Sequence, residues 1–136
     1  MIAPMQLNNF EIWKINYSLF PRRKNSKRKI DLDLNIQINE KNENQVRLIL
    51  SMDIADIIEI FAIKIKFQAI GYFSFDPNLD DKEKAKYLFS SGFTILYSMM
   101  RSHVLNITSA SPIKGYILPT LKTADIIKKY LSKDTK

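Results

Sequence analysis

Apolar and polar positions alternate most cleanly between Lys29 and Asn39, where Ile30, Leu32, Leu34, Ile36 and Ile38 interleave with Asp31, Asp33, Asn35, Gln37 and Asn39. Successive side chains of a strand point to opposite faces, so this period predicts one buried and one wet face, as in an antiparallel sheet. The same period runs from Gln45 to Ile54 through Val46, Leu48, Leu50 and Met52. It returns from Ile58 to Phe75, where Phe61, Ile63, Ile65, Phe67, Ala69, Gly71, Phe73 and Phe75 share a face. Polar turns are expected at Glu40–Asn44 and near Ala55–Asp56. An earlier strand, Asn9–Phe20, carries a fault: Phe10 and Ile12 have one parity, and Ile15, Tyr17 and Leu19 have the other. A parity change inside a strand needs an extra residue, so a β-bulge is expected near Trp13–Lys14. Pro21 has no N–H to give the ladder and ends the strand. Gly71 marks a bend or a close backbone approach.

The period changes after Gly92. Phe93, Leu96, Tyr97, Met100, Val104 and Ile107 form a stripe at helical spacing, Leu105 widens it, and Ile95 and Met99 make a second patch. A helix lying on a small domain needs one apolar face. The surplus here is expected to meet a second copy, another protein or a lipid surface. Asp80 and Glu83 form a capping pair that opens a short helix, Lys84–Ser90, which Gly92 separates from the main one. Ile113–Leu118 reads as short and extended, closed by Pro119. Thr123 caps a last helix with Asp125 in its first turn and Ala124, Ile127 and Leu131 on its inner face. The predicted fold is therefore α+β: a four-stranded antiparallel, meander-like sheet with a long helix and a short C-terminal helix on one face. A single domain is expected over 9–132, with a disordered start at 1–8 and a short basic tail at 133–136.

Charge sharpens this picture. The net charge is +7, and Arg22, Arg23, Lys24, Lys27, Arg28 and Lys29 fall within eight residues. Such a run is either a solvated connector or a patch for phosphate or an acidic partner. There is no cysteine, a single histidine and three glycines. That leaves no thiolate chemistry, no nitrogen–sulfur metal site and no phosphate-cradling loop. The cluster Asp76, Asp80, Asp81 and Glu83 lacks calcium-loop spacing and its glycine, and helix capping accounts for it. His103 sits on the polar side of the main helix without an orienting carboxylate. No catalytic residue, metal or cofactor is expected, and the chain does not read as an enzyme. The first residues lack a signal-peptide pattern, and apolar runs fall short of the roughly 18 residues of a membrane helix. A cytoplasmic protein without membrane insertion is expected. Trp13, Met99 and Met100 suit either core packing or a contact surface.

Several segments, in their order and spacing, resemble the SecB-like chaperone family. They are Phe10-Glu11-Ile12, Val46–Met52, the strand end Ala69–Phe75, the helix Ile95–Thr108 with its central Arg101, and Tyr116–Leu131 with Leu118-Pro119 leading into a final helix. The resemblance implies an ATP-independent holdase that binds unfolded or non-native polypeptides along apolar grooves beside the helices. It implies a homotetramer, a dimer of dimers, with long helices packed between the dimers. By position, the client-binding walls would be Ile12, Trp13, Tyr97, Met100, Tyr116, Ile117 and Leu118, and the oligomer interface Ile95, Met99 and Ser102. The family serves protein export by docking a translocation motor through acidic sheet positions; solitary members serve dedicated clients such as the antitoxin of a toxin–antitoxin pair. This chain departs from that pattern in its basic charge and in Lys64 and Lys66 on the sheet. Two other readings stand beside it: a nucleic-acid- or acidic-partner-binding module using the Arg22–Lys29 loop, and an oligomeric small-ligand-binding protein. Nucleic acid is the less expected partner, because the aromatics are not interleaved with the lysines.

Overall fold

The alternating segments do form strands, and they pair antiparallel throughout. A computed structural model describes residues 3–131. Its strands are β1 (Met5–Pro21), β2 (Lys29–Asn39), β3 (Asn42–Ile58) and β4 (Phe61–Phe75). Three helices follow: α1 (Asp81–Tyr87), α2 (Phe93–Thr108) and α3 (Thr123–Leu131). The sheet order is β1-β4-β3-β2. The last three strands make the expected meander, but β1 crosses to the far edge and pairs with β4, which is a Greek-key order.

One sheet face is the core. Val46, Leu48, Leu50, Met52 and Ile54 of β3 and Ile63, Ile65, Phe67, Ala69 and Phe73 of β4 are buried beneath the helices. β1 reaches this face through two bulges. Met5 and Leu7 stand opposite Phe75 and Phe73, Phe10 and Ile12 opposite Gly71 and Ala69, and Ile15, Tyr17 and Leu19 opposite Phe67, Ile65 and Ile63. The register shifts at Asn8 and at Trp13, and each extra residue returns the apolar parity to the core. The second shift is the predicted one. The first lies in the segment expected to be disordered: Met5 is buried, and the Asp76 amide donates to Pro4 O at 2.9 Å. Residues 5–8 thus belong to the sheet; residues 1–2 and the predicted tail lie outside the described residues.

Two turns differ from expectation. The β2–β3 turn is only Glu40-Lys41. β3 continues through Ala55–Asp56 to Ile58 and turns at Glu59-Ile60, with Glu59 at φ 54°. Asp56 points inward among apolar neighbours, which breaks the alternation without ending the strand. Gly92 does not separate two helices either. Its backbone is right-handed helical (φ −62°, ψ −48°), and a π-helical turn, Leu88–Gly92, joins α1 to α2 in one rod. The Asp80 side chain caps the rod by accepting from the Glu83 amide at 2.7 Å.

α2 lies over β4 and β3. A Cβ placed on Gly71 would stand 2.7 Å from Leu96 Cδ2, so glycine there permits the close approach of helix and sheet. α3 covers β2: Leu34 N donates to the Tyr130 hydroxyl at 2.9 Å, Lys129 Nζ to Leu32 O at 3.1 Å, and Tyr130 stacks on Phe89 at 5.1 Å. Among the described residues, no backbone group bonds to the outer edge of β1.

Candidate functional site

The helical period of α2 decides which of its residues face solvent. Phe93, Leu96, Tyr97, Met100, Val104 and Thr108 are buried on the sheet side. Tyr97 and Met100, expected as groove walls, therefore face the core. Ile95, Met99 and Ser102, the expected interface, fall within an arc of about 60° on the opposite side. Ile95 and Met99 are half-buried and Ser102 is exposed. Leu105, 40% exposed, and Ile107 add apolar surface toward the helix end.

The segment 113–121 runs back along α2 as a strap, held by buried polar contacts. The Thr108 hydroxyl donates to Val104 O and accepts from Tyr116 N, both at 2.7 Å. The Tyr97 hydroxyl donates to Pro119 O at 2.5 Å. The Tyr116 hydroxyl donates to Asp56 Oδ2 at 2.5 Å, and Arg28 Nε stands 3.6 Å from the same oxygen. Burial pushes the Tyr97 phenol up to about 12, with Arg101 and Arg28 pulling weakly the other way. Burial, and then the bond to Asp56, push the Tyr116 phenol higher still. Gly115 (φ 112°) lets the strap turn in tightly over Leu105.

An extended strap alternates its side chains. Tyr116 and Leu118 go into the core, and Ile117 between them is 63% exposed. The three neighbours expected to line one wall are thereby split between interior and surface. Ile117 and Leu105 flank a shallow groove of about 290 Å³ whose other walls are Ser98, Arg101 and Ser102.

β1 places its two expected residues on different faces. Ile12 is half-buried on the core face opposite Ala69. Trp13, the bulged residue, is 53% exposed, and its indole Nε1 donates to Glu11 Oε2 at 2.8 Å. The Tyr72 hydroxyl meets the same oxygen at 3.2 Å, on the outer sheet face. Beside them a cup of about 590 Å³ is lined by polar Asn8, Asn9, Gln37 and Arg47 together with apolar Ile38, Val46 and Phe73. Trp13 and Ile117 therefore do not share one groove. Ile15, Tyr17 and Leu19 continue the half-buried inner face of β1, and the buried Tyr17 hydroxyl has no hydrogen-bond partner among the described residues.

The basic connector, 22–28, is exposed apart from Ser26. Ile60, 73% exposed at the β3–β4 turn, falls inside the expected strand Ile58–Phe75 and so escapes sequence reasoning; its one signal is its place beside Glu59 between two apolar runs. No helix among the described residues is long and apolar enough to cross a membrane.

Comparison with known proteins bears on the fold. No protein-family model matches the sequence, and no curated protein sequence matches it. Solved structures do match. The Rv1957 SecB-like chaperone of Mycobacterium tuberculosis, in complex with a ChAD peptide from the Rv1956 HigA1 antitoxin, aligns with a TM-score of 0.67 over 88% of both chains at 12% identity. A protein of unknown function from Streptococcus agalactiae aligns with a TM-score of 0.50 over 85% of this chain and 97% of its own, at 8% identity. The fold is SecB-like.

Proposed function

We propose that this chain is a cytoplasmic, ATP-independent holdase that binds non-native polypeptide segments on the apolar surface around α2 and the strap. The observation that carries this reading is the SecB-like fold combined with Leu105 and Ile117 flanking an open groove beside the long helix. The similar M. tuberculosis chaperone is bound to an antitoxin peptide, which supports a polypeptide as the ligand class. A non-native segment offers apolar side chains, and burying one leucine- or isoleucine-sized side chain is worth about 1.5–3 kcal/mol. Several such anchors hold a chain without sequence specificity. The outer edge of β1 offers main-chain groups to an extended segment. Ile95, Met99 and Ser102 pack against a second copy, giving a homotetramer built as a dimer of dimers. The client is either an exported protein or a dedicated one such as an antitoxin. With basic Lys64 and Lys66 exposed on the sheet, a dedicated client suits this chain better than docking to a translocation motor.

Light scattering on a sizing column, with and without a permanently unfolded protein, tests the reading. A tetramer that shifts to a defined larger complex supports it. Ile117→Asp leaves the fold intact, because the residue is exposed, and weakens client binding about tenfold or more. A monomer that ignores the unfolded chain, or a tetramer whose client affinity is indifferent to both Ile117→Asp and Leu105→Ser, overturns it.

A further inference from the structure

The cations at 22–29 play no part in the holdase reading. Their placement follows from the Greek-key order. The connector leaves β1 at one edge of the sheet and enters β2 at the other, so it passes the end of the β3–β4 hairpin. Three strand spacings make roughly 14 Å, whereas residues 22–28 can reach roughly 24 Å. The connector is therefore an arch with slack. It is pinned near both ends. Arg22 N donates to Ile60 O at 2.7 Å and the Arg22 guanidinium to Glu59 O at 3.4 Å, while Arg28 pairs with Asp56. At its crown, Ser26 N donates to Arg23 O at 3.0 Å and Arg23 N to Ser26 Oγ at 2.9 Å, which fixes a turn. Arg22 and Arg28 are thus committed to the fold. Among the described residues, the exposed Arg23, Lys24 and Lys27 have no acidic partner. Against the foot of this arch stands Ile60, the most exposed large apolar side chain described.

We infer that the arch and Ile60 form a docking site for an acidic segment of a partner protein that also carries an aliphatic side chain. Cations without counter-charges call for an anionic ligand. Ile60 selects among anionic ligands. A nucleic acid tracking a basic surface takes phosphate contacts and aromatic stacking, and this arch has no aromatic platform and leaves the isoleucine idle. An anionic bilayer could accept Ile60, but the adjacent, exposed Glu59 would be pressed against lipid of its own sign. A peptide is narrow enough to lie along Arg23, Lys24 and Lys27, place one leucine or isoleucine on Ile60, and keep clear of Glu59. This surface lies at the hairpin end of the sheet and makes no use of Leu105 or Ile117, so it stands whether or not the holdase reading does.

Fluorescence anisotropy of the full chain with defined probes tests the inference. The probes are a glutamate-rich peptide with spaced leucines, the same peptide with serines instead, a uridine oligonucleotide, and vesicles of phosphatidylserine and phosphatidylcholine. The leucine peptide is expected to bind most tightly. The combined variant Arg23→Glu, Lys24→Glu, Lys27→Glu should weaken it about tenfold or more. Ile60→Ser should cost a few-fold, for the leucine peptide alone, while the capture of unfolded protein stays unchanged in both variants. The inference is overturned if neither peptide binds, if the charge-reversed arch binds the leucine peptide as the parent does, if Ile60→Ser leaves the two peptides as different as before, or if the oligonucleotide or the vesicles bind more tightly than the peptide.

Discussion

Tyr116→Phe removes one hydroxyl and keeps the ring. That hydroxyl is the link between the strap and β3, through its 2.5 Å bond to Asp56. Tyr116 is buried and the Asp56 side chain is 16% exposed, so water replaces the lost donor poorly. A hydrogen bond to a charged group contributes about 1.5–3 kcal/mol. Arg28, still 3.6 Å from the same oxygen, keeps the carboxylate from being orphaned, which places the expected loss at the lower end, about 1.5–2 kcal/mol. For a chain of this size that is about 4–8 °C in Tm, read by circular dichroism at neutral pH. The pH dependence provides an independent check. The Tyr116 phenol is raised above its ordinary value, first by burial and then by the bond to Asp56, so the folded state holds the proton more tightly than the unfolded chain does. Its contribution is fully present below the unfolded phenol value of about 10 and is lost as pH rises above it. The difference between parent and Tyr116→Phe should therefore shrink at strongly alkaline pH. A Tm change below about 1 °C at pH 7, or a difference that widens with alkali, would refute the assigned link.

The remaining predictions are simpler. Tyr17→Phe removes a buried hydroxyl without a partner and should be neutral or raise stability by up to about 1 kcal/mol in urea denaturation; a loss above about 1 kcal/mol would mean the hydroxyl is bonded. Gly71→Ala places a methyl 2.7 Å from both Leu96 Cδ2 and Phe73 Cε2 and should cost about 1–3 kcal/mol, with Leu96→Ala in the same chain relieving one of the two clashes and making the double mutant better than additive. Tyr97, held up to about 12 mainly by burial, contributes stability that is complete below about pH 10 and fades between there and about 12; thermal melts across that range should show a decline that Tyr97→Phe reduces.

Much of the fold was legible because the sheet is two-faced. Alternation located the strands, the parity break at Ile12/Ile15 located the bulge at Trp13, and Gly71 marked the close approach of the helix. What escaped was non-local or chemically atypical. The pairing of β1 with β4 leaves no trace in either strand alone. The turn at Glu59-Ile60 uses neither glycine nor asparagine, although Glu59 takes a left-handed φ. Asp56 looked like turn chemistry, but its carboxylate faces inward to Tyr116 and Arg28. Surface and interior were harder to separate than strand and helix. Tyr97 and Met100 look like a contact surface in sequence, yet they share the sheet-facing side of α2 with Leu96 and Val104. Tyr116, Ile117 and Leu118 are all apolar, and only the extended geometry of the strap assigns the middle one to solvent.

The edge position of β1 has a consequence for the order of assembly. Its partners lie from 40 positions apart in sequence at Pro21–Phe61 to 70 at Met5–Phe75. Strands β2, β3 and β4 can zip through two tight hairpins, each closing a small loop, while β1 must wait for a partner made much later. Contacts so far apart in sequence slow folding, because the loop must close before they contribute. During that delay Phe10, Ile12, Ile15, Tyr17 and Leu19 stay uncovered in the nascent chain. A protein proposed to shelter the unfinished chains of others thus makes β1 well before its partner strand exists, and completes its sheet only when its fourth strand is made.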